Sequence, residues 1–258
     1  MNSVKINNGR CSGSLFHFPH FIMDCLFNEI RHDIYKYDTV YRKKTLAQTL
    51  GIFSKMYEEV MGIKTVEIDE KAFNDLSLNL IVTPRPNNPT KAEIEKFRQF
   101  IFARYQLEYV KLDDIISENT DVILIERGDR IELMLDDDLK KINTNVTTGR
   151  ERREINDFDK LKTFLEQKYG DNFKSLVLEK MDYKDQIKHF KNAKMIIGIH
   201  GGGLANMVFC NPKTTLIEVS AGGEFGWFFL NNSCKILNIN HIKCENKLDD
   251  IKNILNNI

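Results

Sequence analysis

The chain has 258 residues, of which 42% are hydrophobic and 29% charged, as is ordinary for a soluble globular protein. Lysine plus arginine and aspartate plus glutamate both number 37, so no net charge attracts nucleic acid or an anionic membrane. We therefore expect no nucleic-acid partner. No run approaches the ~20 apolar residues of a membrane helix, so we also expect no integral membrane segment.

The cysteines indicate a reducing compartment. Their positions lack Cys-x-x-Cys spacing, which argues against both a structural zinc site and a disulfide framework. They are Cys11, Cys25, Cys210, Cys234 and Cys244. An odd number of cysteines without a signal-peptide core predicts reduced thiols and a cytoplasmic location. The sequence leaves open whether the protein forms a homo-oligomer.

Helix and strand patterns alternate along the chain. The first third predicts a helix over 16–31, a strand over 78–83, and a helix over 91–105 that begins with a Thr90–Glu93 capping box. Further strands are predicted over 122–126, 175–179, 195–199, 215–219 and 235–240. Further helices are predicted over 157–169, 183–192, 204–209 and 247–255, with a polar loop over 131–149. This alternation predicts an α/β fold with a parallel sheet covered on both faces.

The patterns also predict a division of the chain. We expect an N-terminal, acceptor-side lobe over 1–115, a Rossmann-like lobe over 116–245, and a closing helix over 246–258. Ligands of such sheets bind at the carboxyl ends of the strands.

One such strand end carries a glycine-rich turn. His200, Gly201, Gly202 and Gly203 follow an apolar strand and open a helix, where unpaired N–H groups and the helix dipole favour an anion. The missing Cβ atoms would let a diphosphate approach the backbone. The alternative is a tight strand–helix connection without a ligand. The dinucleotide fingerprint fails, because Asn206 stands where its third glycine belongs.

Charged residues near other strand ends extend this hypothesis. Arg127 directly follows the strand over 122–126, and Arg153 precedes the next helix; both guanidinium forks match phosphate oxygens. The alternative for the arginines around 150–153 is a solvated charged face. Glu218 ends the strand over 215–219 and could accept ribose hydroxyls, or else be an ordinary surface carboxylate.

His20 and Asp24 are four residues apart, which places them on one face of a helix. A carboxylate beside an imidazole can orient it, and this suits a general base acting on a hydroxyl. A structural pair on an apolar helix is the alternative.

These residues together resemble the motifs of glycosyltransferase family 61. The segment over 193–209 resembles the family's His-Gly-Ala-Gly-Leu signature, with Gly202 in place of the usual alanine. Asn211-Pro212 and the strand ending in Glu218 follow it in the family's order. Further matching pieces are 123–127, 152–156, 178–179, 185–186 and 20–24.

The resemblance implies an inverting transferase of the capsule- and glycan-building kind. It implies a GT-B-like fold of two Rossmann-like lobes, the N-terminal one small or reduced. The donor would be a nucleotide sugar, often UDP-linked, and the acceptor a hydroxyl of a glycan or glycoconjugate. The sugar moved could be a hexosyl, N-acetylhexosaminyl or pentosyl group.

The resemblance also assigns residues. His20 would be the base and Asp24 would orient it. The donor-binding residues would be Arg127, Arg153, Asn156, His200, Gly201, Gly202, Gly203, Leu204, Asn206 and Glu218.

We expect no cofactor and no catalytic metal, since the acidic run Asp136–Asp138 lies in a polar stretch and reads as a solvated loop. Two other classes stay open. One is a non-catalytic nucleotide-sugar or glycan-binding protein on the same fold. The other is a Rossmann oxidoreductase, which the failed fingerprint disfavours.

Overall fold

The computed structural model describes residues 2–9, 15–84, 88–113, 119–129, 149–222 and 228–258. The described residues up to 106 form one compact unit, the N-terminal unit, and those from 107 onward form a second, the C-terminal unit. Each unit contains a parallel sheet with helices between its strands, which confirms the α/β class. The domain bounds at 115 and 245 stay predictions. Among the described helices, none combines the length and apolarity needed to span a membrane.

The N-terminal sheet has four parallel strands in the order β3-β2-β1-β4. They are β1 (Ser3–Asn7), β2 (Thr39–Lys43), β3 (Lys64–Ile68) and β4 (Leu80–Val82). Val4 lies opposite Val40, and Ile6 lies opposite Ile81. Strands β2 and β3 extend the sheet on one side of β1, and β4 then pairs with β1 on its other side. The sheet's switch point, where ligands of open α/β sheets bind, is therefore between β1 and β4.

The described part of this unit contains four longer helices and two short 3-10 helices, Ile34–Lys36 and Gly51–Phe53. The first, α1, runs over 18–31 in three consecutive stretches: α-helical Phe18–His20, π-helical Phe21–Phe27 and α-helical Asn28–Arg31. The others are α2 (Ser54–Met61), α3 (Glu70–Asp75) and α4 (Lys91–Arg104). Both hydrogen bonds of the predicted capping box between Thr90 and Glu93 are present at the start of α4. The π-helical stretch of α1 is buried throughout.

An ion pair with no solvent exposure lies at the carboxyl end of this sheet. The guanidinium of Arg42, on β2, donates to both carboxylate oxygens of Glu29, on α1, at 2.8 Å each. Asn8 donates to Glu29 at 2.8 Å, and the Tyr57 hydroxyl donates to it at 2.7 Å. A buried pair is tolerable only when further hydrogen bonds satisfy its remaining polar atoms, and these contacts supply them.

The same polar cluster connects strand ends to the helix. Asn8, directly after β1, also donates to Thr83 Oγ1, directly after β4, at 3.1 Å. Its amide donates as well to the backbone carbonyl of Asp24 at 3.1 Å, and Asn28 donates to that carbonyl at the same distance. The cluster therefore fixes α1 across the switch point of the sheet.

The C-terminal sheet has five parallel strands in the order β6-β5-β7-β8-β9. They are β5 (Asp121–Glu126), β6 (Phe173–Val177), β7 (Ala193–Ile199), β8 (Thr215–Val219) and β9 (Asn240–Cys244). The helices are α5 (Phe158–Tyr169), α6 (Tyr183–Asn192), α7 (Phe228–Ile236) and α8 (Leu248–Asn256). The order is that of a doubly wound sheet, with its switch point between β5 and β7. Apolar residues of the strands, including Leu124, Ile197 and Ile217, form its core with Leu165 and Ile251.

The prediction of a strand over 235–240 is wrong. Residues up to Ile236 belong to α7, and β9 begins only at Asn240. Asn238 has a left-handed backbone with φ of 54°, and the Ile239 N–H reaches back to the carbonyl of Cys234 at 2.8 Å. This is a helix C-terminal motif, so the apolar run packs as the end of a helix. Short apolar runs do not by themselves distinguish the two structures.

We predict that Arg42→Met destabilises the N-terminal unit by about 3–5 kcal/mol, because it leaves the Glu29 carboxylate buried without its counter-ion. Hydrogen exchange followed by mass spectrometry should show lost protection in β1 and β2, with the C-terminal unit as internal reference. Lys71→Met, at an exposed lysine of α3, is the matched control and should change the stability by less than ~0.5 kcal/mol. Unchanged protection in Arg42→Met would contradict a role for the ion pair in stability.

Candidate functional site

The glycine turn lies at the carboxyl end of β7, beside the switch point of the C-terminal sheet. Gly201 is extended, with φ of 168° and ψ of −178°, and residues Gly202–Phe209 form a 3-10 helix. The predicted helix after the turn is therefore present in a tighter form, which is uncommon at this length. Leu204, at its start, is buried.

Two of these glycines allow side chains to pack closely on the turn. A Cβ atom on Gly201 would lie 3.3 Å from Nη1 of Arg127, and one on Gly203 would lie 3.0 Å from Cδ1 of Leu178. Neither glycine has a left-handed backbone. The sequence suggested room for a ligand; the structure adds that the turn makes room for the Arg127 guanidinium.

Arg127 and Arg153 both lie at this turn. Nη1 of Arg153 donates to the carbonyl of His200 at 3.0 Å. Burial lowers the pKa of Arg127, and the nearby charge of Arg152 adds to this, while Glu179 opposes it. Burial also lowers the pKa of Arg153, together with the charges of Arg152 and Arg127. Arginine stays protonated despite these shifts. The positive charges of Arg127, Arg152 and Arg153 therefore lie close together at the carboxyl end of the sheet, and a bound anion would reduce their mutual repulsion.

Arg127 also carries an unsatisfied donor. Its Nε is buried and has no hydrogen-bond partner among the described residues. A buried donor without a partner costs free energy, so it favours a ligand that accepts a hydrogen bond. Arg127 and Arg153 thus lie beside His200 and Gly201, and their donor-binding roles stay predictions.

Glu218 lies in the interior between two histidines. Its Oε1 lies 2.5 Å from Nδ1 of His200, and its Oε2 lies 2.7 Å from Nε2 of His241. Burial alone would raise the pKa of Glu218, but the hydrogen bonds to His200 and His241 outweigh it and lower the pKa to about 2. Both carboxylate oxygens are engaged and the residue is 1% exposed. Its ribose-binding role stays a prediction.

His241 was not singled out from the sequence. It lies on β9, and only the parallel pairing of β9 with β8 brings it beside Glu218. Nothing in its local sequence indicates this contact.

Asn206 and Asn156 make contacts within the protein. Asn206 is fully buried and donates to Oε1 of Gln186 at 2.8 Å, which connects the 3-10 helix to α6; its own Oδ1 has no hydrogen-bond partner among the described residues. Asn156 is exposed and donates to the carbonyl of Asn246 at 2.8 Å, which connects the segments before α5 and α8. Their donor-binding roles stay predictions.

No group of three histidine, cysteine, aspartate or glutamate residues that could hold a metal ion occurs in the described parts of the chain. The acidic run Asp136–Asp138, predicted to be a solvated loop, lies outside the described residues.

The second candidate group is in the N-terminal unit. Nδ1 of His20 lies 2.7 Å from Oδ2 of Asp24, so the predicted pair forms. The Asp24 side chain is fully buried, whereas that of His20 is 21% exposed. Asp24 belongs to the π-helical stretch of α1, a local widening that is frequent at functional sites. Because a carboxylate only accepts hydrogen bonds, the contact fixes the His20 ring with its proton on Nδ1.

Known proteins resemble parts of this chain. Over 52 residues it is 40% identical to a Beta-1,2-xylosyltransferase of Arabidopsis thaliana, covering 20% of this chain and 10% of that protein. Over 140 residues it is 25% identical to Beta-1,2-xylosyltransferase RCN11 of Oryza sativa subsp. japonica, covering 52% of this chain and 24% of that protein. The matched parts are thus a quarter or less of either relative. The profile of the family described as Glycosyltransferase 61 matches residues 18–217, well over half of the chain, and the protein therefore belongs to that family.

Proposed function

We propose that this protein is an inverting glycosyltransferase that moves a sugar from a UDP-linked donor to a hydroxyl of a glycan or glycoconjugate. The observation that carries the proposal is the cationic edge formed by Arg127 and Arg153 around the glycine turn, in a chain of this family. Both named relatives are xylosyltransferases, which makes a pentosyl donor the first to test. The GT-B arrangement and the cytoplasmic location remain parts of the proposal.

On the donor side, the site must stabilise the negative charge of the leaving diphosphate. As the bond between the anomeric carbon and the diphosphate breaks, negative charge builds on the departing phosphate oxygens. Guanidinium groups and backbone N–H donors that are already in place stabilise this charge without reorganisation. Arg127 and Arg153 supply the charges, and the start of the 3-10 helix supplies N–H groups. We therefore propose that transfer needs no metal ion.

The acceptor side needs one base. In an inverting transfer the acceptor oxygen attacks the anomeric carbon from the face opposite the diphosphate, and the acceptor proton must leave. His20 takes that proton on Nε2, because its contact with Asp24 keeps the other ring nitrogen protonated. Asp24 then stabilises the resulting imidazolium. Asp24 is itself held through its backbone carbonyl by Asn8 and Asn28.

A donor screen tests the proposal as a whole. We expect UDP-sugars to raise the apparent melting temperature of the full chain, since ligand binding to the folded state stabilises it. We also expect transfer to a glycan acceptor, detected by mass spectrometry and insensitive to EDTA. Binding without transfer would instead indicate a nucleotide-sugar-binding protein, and activity lost in EDTA but restored by Mn²⁺ would contradict the metal-free mechanism.

His20→Ala should reduce the transfer rate by about 10²–10⁴-fold, the usual contribution of a general base. UDP affinity, measured by calorimetry, should stay unchanged because His20 acts on the acceptor. His32→Ala replaces an exposed histidine directly after α1 and serves as the control, with wild-type rate expected. Wild-type turnover in His20→Ala would remove His20 as the base.

Arg127→Met should weaken UDP binding roughly tenfold to a hundredfold, the usual effect of losing a hydrogen bond to a charged group. Uridine, which lacks the diphosphate, should bind both proteins equally. Arg150→Met is the matched control, because Arg150 is 46% exposed and pairs with Asp129 at 3.2 Å. Equal UDP affinity in Arg127→Met and the wild type would show that Arg127 does not contact the diphosphate.

A further inference from the structure

An exposed carboxylate, that of Glu179, also lies at the carboxyl end of the C-terminal sheet. Glu179 follows β6 and belongs to a short 3-10 helix over Leu178–Lys180. Strands β5 and β6 are paired neighbours, and Gly128 lies just beyond the end of β5. A Cβ atom on Gly128 would lie 3.4 Å from Oε2 of Glu179. The backbone directly after Arg127 therefore leaves room for this carboxylate.

The negative charge of Glu179 acts on Arg127. Burial lowers the pKa of Arg127, and the nearby charge of Glu179 opposes this shift. Unlike Glu218, whose two carboxylate oxygens are both engaged in the interior, Glu179 is open to solvent. A carboxylate at this position repels a diphosphate bound by the arginines. It therefore weakens the binding of anions unless the ligand also donates a hydrogen bond to it.

The short helix that carries Glu179 is fixed against the glycine turn. The buried amide of Gln186 donates to the carbonyl of Leu178 at 2.9 Å and accepts from Asn206 at 2.8 Å. Cδ1 of Leu178 would lie 3.0 Å from a Cβ atom on Gly203. The backbone at Glu179 and the glycine turn thus have fixed relative positions, as simultaneous contact with two parts of one ligand requires.

The ligand group that suits Glu179 is a pair of hydroxyls. An ionised carboxylate only accepts hydrogen bonds, so it cannot bind a phosphate oxygen. Two neighbouring hydroxyls can donate to a carboxylate, as ribose does to an acidic residue in dinucleotide-binding sheets. A nucleotide sugar carries neighbouring hydroxyls on both sides of its diphosphate, on the ribose and on the sugar to be transferred.

We propose that Glu179 is a specificity-determining residue of the donor site, which accepts hydrogen bonds from neighbouring hydroxyls of a nucleotide sugar while Arg127 and Arg153 bind its diphosphate. Glu179 makes the site select a diphosphate that carries such hydroxyls over inorganic pyrophosphate, because only the former compensates for the repulsion. Gln186 is a positioning residue that holds Glu179 at the required distance from the glycine turn. The inference rests on the proposed function, which supplies the nucleotide sugar as ligand.

The test compares the full chain with Glu179→Gln and Glu179→Asp by calorimetry, with pyrophosphate, UDP, 2′-deoxy-UDP and UDP-xylose as ligands. Glutamine keeps the length of the side chain and removes its charge, whereas aspartate keeps the charge and shortens the side chain. Relative to pyrophosphate, the affinity for the ligand that carries the recognised hydroxyls should fall about tenfold in both variants, the usual effect of weakening a hydrogen bond to a charged group. Pyrophosphate itself should bind Glu179→Gln at least as tightly as the wild type. Glu166→Gln, at an exposed glutamate of α5, is the matched control and should behave as the wild type.

Two comparisons identify which hydroxyls Glu179 binds. If they belong to the ribose, the wild type prefers UDP to 2′-deoxy-UDP, and both Glu179 variants lose that preference. If they belong to the transferred sugar, the wild type prefers UDP-xylose to UDP, and both variants lose that preference instead.

Three results would overturn the inference and leave the proposed function standing. The first is that both preferences survive in the variants. The second is that Glu179→Gln binds every ligand more tightly by one factor, since Glu179 would then be only a counter-ion of Arg127. The third is that every ligand is weakened equally, which would indicate a structural role. A wild type that binds pyrophosphate but neither UDP nor UDP-xylose would instead reject the proposed function, and the inference with it.

Discussion

A carboxylate in a protein interior must be satisfied by hydrogen bonds or counter-ions where it lies, and in each unit a buried glutamate near the carboxyl end of the sheet is satisfied by partners from several elements. In the N-terminal unit it is Glu29, bonded by Arg42, Asn8 and Tyr57. In the C-terminal unit it is Glu218, bonded by two histidines. The partners come from different strands and helices, so each carboxylate fixes the relative positions of elements that are distant in sequence. The candidate functional groups stand on those elements.

The two carboxylates differ in the chemistry of their partners. An arginine is always charged, so the pair of Glu29 and Arg42 is a permanent part of the N-terminal unit, and Asn8 connects this pair to the backbone of Asp24, the partner of His20. The partners of Glu218 are two imidazole nitrogens, one from the turn after β7 and one from β9, so this carboxylate joins the glycine turn to a neighbouring strand. The N-terminal cluster accordingly suits a fixed base, and the C-terminal cluster suits the positioning of the glycine turn.

Sequence patterns predicted the C-terminal unit better than the N-terminal one, for a physical reason. Strand β5 and the second half of β7 are buried on both faces and read as nearly continuous apolar runs, whereas β1 and β3 alternate with lysine, threonine or glutamate and were not predicted. The segment over 235–240 carries the apolar residues Ile236, Leu237 and Ile239, yet it ends a helix, and Asn238 has the left-handed backbone found at helix C-termini. The capping box of α4 was predictable because both of its bonds join residues three apart.

Local spacing alone determined the contact of His20 with Asp24, since residues four apart in a helix are neighbours, and the order of motifs alone indicated the family. Tertiary structure decided the partners of Glu218, which lie 18 and 23 residues away along the chain, and the burial of Asn206 against Gln186. It also decided that Gly201 accommodates an arginine. These contacts depend on strand order and register, which arise from the packing of the whole sheet and leave no periodic signal in any one segment.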